Sequence, residues 1–86
     1  MNLKVLLDHP VLKNLPGPEF KAYVLFKTKA INHEIEGFTI RGLQREWENS
    51  PELNMPTSKN RVKALVGYLE EQKIIRYKKR KLKILI

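Results

Sequence analysis

The chain contains no cysteine, which excludes disulfide bonds and thiolate metal sites and fits a reducing compartment. Its two histidines, His9 and His33, stand apart, with no carboxylate or cysteine at ligand spacing. No metal site and no cofactor are therefore expected. Glycine is scarce, with four residues in the whole chain and no glycine-rich phosphate loop. No apolar run approaches the roughly 20 residues needed to cross a bilayer. The opening MNLKVLLDHP is too short and too soon charged for a signal peptide. A cytoplasmic protein with no membrane partner is the expectation. Acids are also few, nine against 17 lysines and arginines. Glu34, Glu36, Glu46, Glu48, Glu70 and Glu71 fall on expected helix surfaces or ends rather than in a paired constellation. No catalytic residue is assigned, and an enzyme is not expected.

What is abundant is positive charge. Over 86 residues the formal net charge is +8 and the sequence pI about 9.9. The length suits one domain with one modest core, and a 42% hydrophobic fraction fits a globular chain. Charge on this scale concentrates polyanions near the surface and speeds encounter with them. The cations cluster rather than scatter, which favours nucleic acid as the polyanion. No internal repeat or low-complexity linker is evident.

Along the chain, residues 1–17 read as a lead-in that packs on the body, with Leu3, Val5, Leu6 and Leu7 as its apolar part and Val11 and Leu12 beginning a short helical turn. Leu15-Pro16-Gly17-Pro18 is punctuation. Residues 18–86 read as the domain proper. A first long helix opens at Pro18 or Glu19 and carries Phe20, Tyr23, Val24, Phe26, Ala30 and Ile31 on a broad apolar arc, ending at Asn32-His33-Glu34. Ile35 to Phe38 is expected to be extended. Thr39 is an N-cap for a second helix from Ile40 to Glu48, with Ile40, Leu43 and Trp47 on one face. Gly42 costs that helix about 1 kcal/mol relative to alanine. Asn49-Ser50-Pro51 stops it, and Leu53 and Met55 are tucked under the connection that follows.

Thr57 or Ser58 caps a third helix running to about Gln72. On it Val62, Leu65, Val66 and Leu69 fall at i, i+3, i+4 and i+7, one apolar stripe. Lys73 follows where a glycine would end a helix sharply, so a less sharp end is expected, with Lys73 in the left-handed or bridging conformation at some cost. Ile74–Lys78 and Leu82–Ile86 are β-prone and alternate in part. The absence of Gly, Asn and Asp between them predicts a looser loop of about three to five residues rather than a two-residue primed turn.

The order helix, short strand, helix, turn, helix, strand, loop, strand resembles the winged helix-turn-helix family, an α+β fold with a three-helix core and a small C-terminal β-hairpin wing. FTIRGLQREW carries the resemblance for the second helix and TSKNRVKALVGYLEEQKII for the third. A narrower resemblance lies upstream: Leu6 to Leu15 followed by Glu19-Phe20-Lys21-Ala22-Tyr23 is similar to the N-terminal domain of plasmid and phage replication initiators, or replisome organisers. The resemblance implies double-stranded DNA as the partner, with other proteins of replication or transcription as further partners. It implies replication initiation on a plasmid, phage or other mobile element, with a small transcriptional regulator as the alternative. Initiators of this kind usually continue into a second domain, whereas this chain stops at Ile86.

In a helix-turn-helix the residues at the start of the recognition helix meet base edges. Thr57, Ser58, Lys59, Asn60, Arg61, Lys63 and Ala64 are the candidates here. Arg61 and Asn60 suit base contacts, guanine and adenine respectively, and Thr57, Ser58 and Lys59 suit phosphate. Arg76, Lys78, Lys79, Arg80 and Lys81 are the wing candidates, set against phosphates or serving as a charged edge that resists sheet-to-sheet pairing. Arg41, Arg45 and Tyr68 are candidate backbone contacts. Gly67 either lets DNA come close or accommodates a crowded packing contact. Phe20, Tyr23, Phe26, Phe38 and Trp47 fall at core spacings, which argues against a stacking platform for single strands. The rival of another class is a winged-helix module that binds protein. A monomer is favoured over a dimer.

Overall fold

The structure, a computed structural model, describes residues 10–86. The expectations placed on Leu3, Val5, Leu6, Leu7 and His9 lie outside the described residues. Among the described residues, four α-helices and a three-stranded antiparallel sheet form an α+β fold. In chain order these are α1 (Pro10–Lys13), α2 (Gly17–Lys29), β1 (Glu34–Glu36), α3 (Ile40–Glu48), a 3-10 turn (Pro51–Leu53), α4 (Lys59–Glu71), β2 (Ile75–Lys78) and β3 (Lys81–Ile84).

The helices form where apolar periodicity and caps agree. Short α1 holds to the body through Leu12, which is fully buried. In α2 the proline at the second position loses no hydrogen bond, because helix-start amides have no intrahelical acceptor. The same helix buries Ala22, Tyr23 and Phe26. Burial pushes the Tyr23 phenol above its ordinary pKa, and its hydroxyl donates to the Ile86 oxygen at 3.0 Å. Helix α3 begins at the Thr39 cap, whose Oγ1 accepts from the Gly42 amide at 2.9 Å, and it buries Leu43 and Trp47. Met55 is buried and Leu53 partly so.

Helix α2 ends sooner than its sequence predicts. Ala30 is already extended, and Asn32 and His33 both take positive φ, 53° and 66°. Ile31 and Glu34 exchange backbone hydrogen bonds of 2.9 and 3.1 Å across them. This two-residue turn of the primed type aims the chain into β1. Ile31, expected on the apolar arc, therefore leaves the helix and is 78% exposed.

Helix α4 starts at the Ser58 cap and buries Val62, Leu65, Val66 and Leu69, as its stripe predicts. Its end is a Schellman motif. Lys73 N–H donates to Glu70 O at 2.9 Å and Ile74 N–H to Leu69 O at 3.0 Å, while Lys73 takes φ 60°. Leu69 and Ile74, the two residues that accompany such a reversal with an apolar contact, are both fully buried.

The sheet order is β1-β3-β2. The register sets Ile75 opposite Ile84, and Ile35 and Tyr77 on either side of Leu82. These residues form the inner face: Ile35, Ile75, Leu82 and Ile84 are buried and Tyr77 packs against them. Phe38 stands edge-on to both Phe26 (centroids 5.7 Å) and Tyr77 (5.2 Å), joining α2 to β2.

The hairpin turn corrects the expected loop. Lys78 pairs with Lys81, so only Lys79 and Arg80 turn the chain, at φ 51° and 61°. Tertiary contacts outweigh local preference there. Tyr77 and Leu82 must both reach the core, and the Phe38 amide donates to Arg80 O at 2.8 Å, which fixes the short connection. Left-handed backbone costs about 1–2 kcal/mol per residue without glycine. Lys81, placed in the loop by sequence, begins β3 instead.

Gly42 has a steric reason that propensity hides. A Cβ built on it would lie 2.9 Å from the Thr39 capping oxygen. Gly42→Ala is expected to leave stability within about 0.5 kcal/mol, the propensity gain being offset by the disturbed cap. In a Thr39→Ala background the same change is expected to stabilise by about 1 kcal/mol. Urea unfolding of the four variants checks this, and equal gains in both backgrounds would count against the clash.

Lys79→Asn together with Arg80→Gly supplies the residues a primed turn favours. It is expected to raise the thermal midpoint, with a gain of about 1–2 kcal/mol. An unchanged or lower midpoint in a melting curve would argue against the two-residue turn.

Candidate nucleic-acid interface

The orientation of α4 follows from its buried stripe. At 3.6 residues per turn, Asn60, Ala64, Gly67 and Glu71 fall on the line opposite Val62, Leu65, Val66 and Leu69. Lys59 and Lys63 flank that line on one side, and Arg61 and Tyr68 on the other. Thr57, Ser58, Lys59, Asn60, Arg61, Lys63 and Ala64 are all exposed, and Tyr68 is half-buried. Among the described residues a Cβ on Gly67 would meet nothing within 4 Å, so crowding among them does not explain that glycine. The outward line is thus narrow over three turns and bordered by cations.

Ser58 Oγ accepts from the Arg61 amide at 3.2 Å, and the first main-chain bond runs from Val62 N–H to Ser58 O at 2.9 Å. The amides of Lys59 and Asn60 precede that bond and have no intrahelical acceptor. A helix start with open amides and the positive end of the helix dipole attracts anions.

The charges of α4 run against its own dipole. Its first turn holds no acid and its last turn no base. Lys59 and Arg61 sit instead in the first turn, at the positive end, and Glu70 and Glu71 at the negative end. Each such placement is unfavourable by about 0.3–1 kcal/mol at an exposed helix end. Folding alone gives no reason for the cations at the helix start. Glu70 has a local task, since its Oε2 accepts from the Tyr77 amide at 3.4 Å and occupies the open edge of β2.

Between α2 and α4 lies an open groove of about 360 Å³, lined by Pro18, Glu19, Pro56, Arg61, Ala64, Leu65 and Tyr68. On α3, Arg41 and Arg45 lie one turn apart and both are exposed.

The wing candidates are not equivalent. Lys79 and Arg80 form the tip of the hairpin. Arg76 and Lys78 project from the outer face of β2, an edge strand. Lys81 lies between Lys78 on one side and Glu36 on the other, and Lys83 between Arg76 and Glu34. Lys81 Nζ also reaches Glu34 Oε2 at 3.7 Å. The outer face is therefore cationic along β2 and the tip, and acidic along β1. Sequence reasoning missed the part played by Glu34 and Glu36. The signal was present in Glu34-Ile35-Glu36, whose period-two pattern marks a strand with its acids on the solvent face.

Among the described residues no three His, Cys, Asp or Glu side chains gather as a metal would require, and no helix is long and apolar enough to cross a membrane. A scan against protein-family models, a search of curated proteins and a search of solved structures each found no match for the chain.

Proposed function

We propose that the chain is a winged helix-turn-helix domain that binds double-stranded DNA without catalysis. Helices α2, α3 and α4 form the core. Helix α4 enters the major groove with Asn60 and Arg61 toward base edges. Thr57, Ser58 and Lys59 hold phosphate at the helix start, and the hairpin of β2 and β3 is the wing, its tip against the backbone. The observation that carries this reading is the reversed charge order of α4, cations at the end where the helix dipole is already positive. Local rules are broken where function overrides folding. The open line of Asn60, Ala64 and Gly67 supports it further, because a flat surface can approach the helix closely there. The biological setting that fits is replication initiation on a plasmid, phage or similar element, with transcriptional regulation as the alternative.

The rival reading, a winged-helix module that binds protein, has one observation in its favour. Ile31 presents an exposed aliphatic side chain beside the acidic strand β1.

The first test is a selection from random duplex DNA at near-physiological salt. An enriched motif, with its spacing reporting monomer, dimer or array, is the expected outcome. Salt-sensitive binding without enrichment would point to a sequence-independent role, and no binding would favour the protein-binding module. On the enriched duplex, Arg61→Ala is expected to cost about 1–3 kcal/mol and to relax preference at one base pair. The same loss on scrambled duplex would remove Arg61 as a reader.

Where the melting curve shows the Lys79→Asn, Arg80→Gly variant to be at least as stable as the parent, weaker binding by it is not a folding defect. All duplexes are expected to bind it less well, with the slope of log affinity against log salt reduced by about 0.9 for each phosphate that the variant no longer neutralises. An unchanged slope would take the wing out of the interface.

A further inference from the structure

The groove beside α4 holds a carboxylate that the DNA-binding reading leaves without a task. Glu19 sits in the first turn of α2, and its Oε2 is buried with no hydrogen-bond partner among the described residues. No other buried side-chain oxygen or nitrogen there is left so. Glu19 and Arg61 line the same groove, between the N-terminal ends of α2 and α4, yet the two described ion pairs are Lys29–Glu46 and Lys81–Glu34. One oxygen of a half-buried carboxylate is thus closed to water without a donor among the described residues, an unfavourable arrangement that a new donor would relieve. Arg61, exposed on the same groove, carries a rigid fork of five donors.

We propose that Glu19 is the positioning carboxylate of Arg61. On binding duplex DNA the Glu19 side chain turns its carboxylate into the groove that both residues line, and the guanidinium gives one edge to that carboxylate and presents the other to guanine O6 and N7. The inference rests on the DNA-binding reading and adds the residue that positions Arg61. Two physical effects give the pair its use. An exposed arginine is flexible, and a fixed acceptor behind it removes most of its freedom before the base is met. An arginine alone would serve a phosphate equally well. A carboxylate behind it repels phosphate, so the pair favours the neutral edge of a base.

The test uses the whole chain and two duplexes: the one enriched by selection, and its variant at the base pair to which Arg61→Ala becomes indifferent. The readout is the ratio of the two affinities, because removing a negative charge near DNA raises both together. Glu19→Gln, which keeps the shape and removes the charge, is expected to cut this ratio about tenfold. Discrimination at other base pairs is expected to stay as it is, and the Arg61→Ala background to show no further loss. Glu19→Asp keeps the charge with a shorter reach and is expected to give an intermediate loss at the same base pair only, so the question stays answerable if the Gln variant folds poorly.

A merely structural role for Glu19 would move both duplexes alike, or act equally with Arg61 absent; either result overturns the proposal. A ratio lost in Arg61→Ala but intact in both Glu19 variants overturns this inference alone. A wild-type chain that prefers no duplex overturns the DNA reading, and this inference with it.

Discussion

Four side chains on one stripe of α4, Val62, Leu65, Val66 and Leu69, decide what the molecule presents to its surroundings. All are buried, and truncating a leucine in such a stripe costs about 2–5 kcal/mol. That is a large part of the about 5–15 kcal/mol by which a small domain is stable. The helix cannot roll without losing this burial, so Lys59, Asn60, Arg61, Lys63, Ala64 and Gly67 are held outward. The same stripe ends at Leu69, where the chain reverses through Lys73 and packs Ile74 back onto the helix. Strand β2 starts one residue later, so the position of the sheet also follows from the burial of α4.

The helical half of the fold is legible in the sequence because its signals are local. Thr39 caps α3, the bounds of Ile40–Glu48 follow from that cap and from Asn49-Ser50-Pro51, and the stripe of α4 reads directly. Lys73 is legible for the same reason, since a helix that ends against an apolar pair needs a left-handed residue whatever its side chain. The turns are different. Asn32, His33, Lys79 and Arg80 all take positive φ, and of these types only asparagine and histidine are enriched there. Their conformations are set by partners far along the chain: β1 pairs with β3, His33 O accepts from Ile84 N–H, and Arg80 O accepts from Phe38 N–H. No window of neighbouring residues contains that information. The candidate interface divides in the same way. The residues of the α4 start were legible from type and spacing. Glu19 and the acids of β1 entered only once the fold set Glu19 on the groove that Arg61 also lines and the acids across the sheet from Lys81.

Charge on the molecule is thereby sorted rather than merely abundant. Acids at Glu70 and on β1 have structural tasks, at the open edge of β2 and across the sheet from Lys81. The cations of the α4 start and of the hairpin tip have no such tasks in the described structure. A net charge of +8 therefore understates the contrast between one part of the surface and another, which is what steers a polyanion to a particular orientation.

Phe38 gives the hairpin a mechanical character. Its amide holds the turn at Arg80 and its ring leans on Tyr77 from one side and Phe26 from the other. One residue thus clamps the strand and the turn to the helical body, through main chain and side chain together. The hairpin is tied to the body at its turn as well as along its strands, and a segment so tied has little disorder left to lose on meeting a surface.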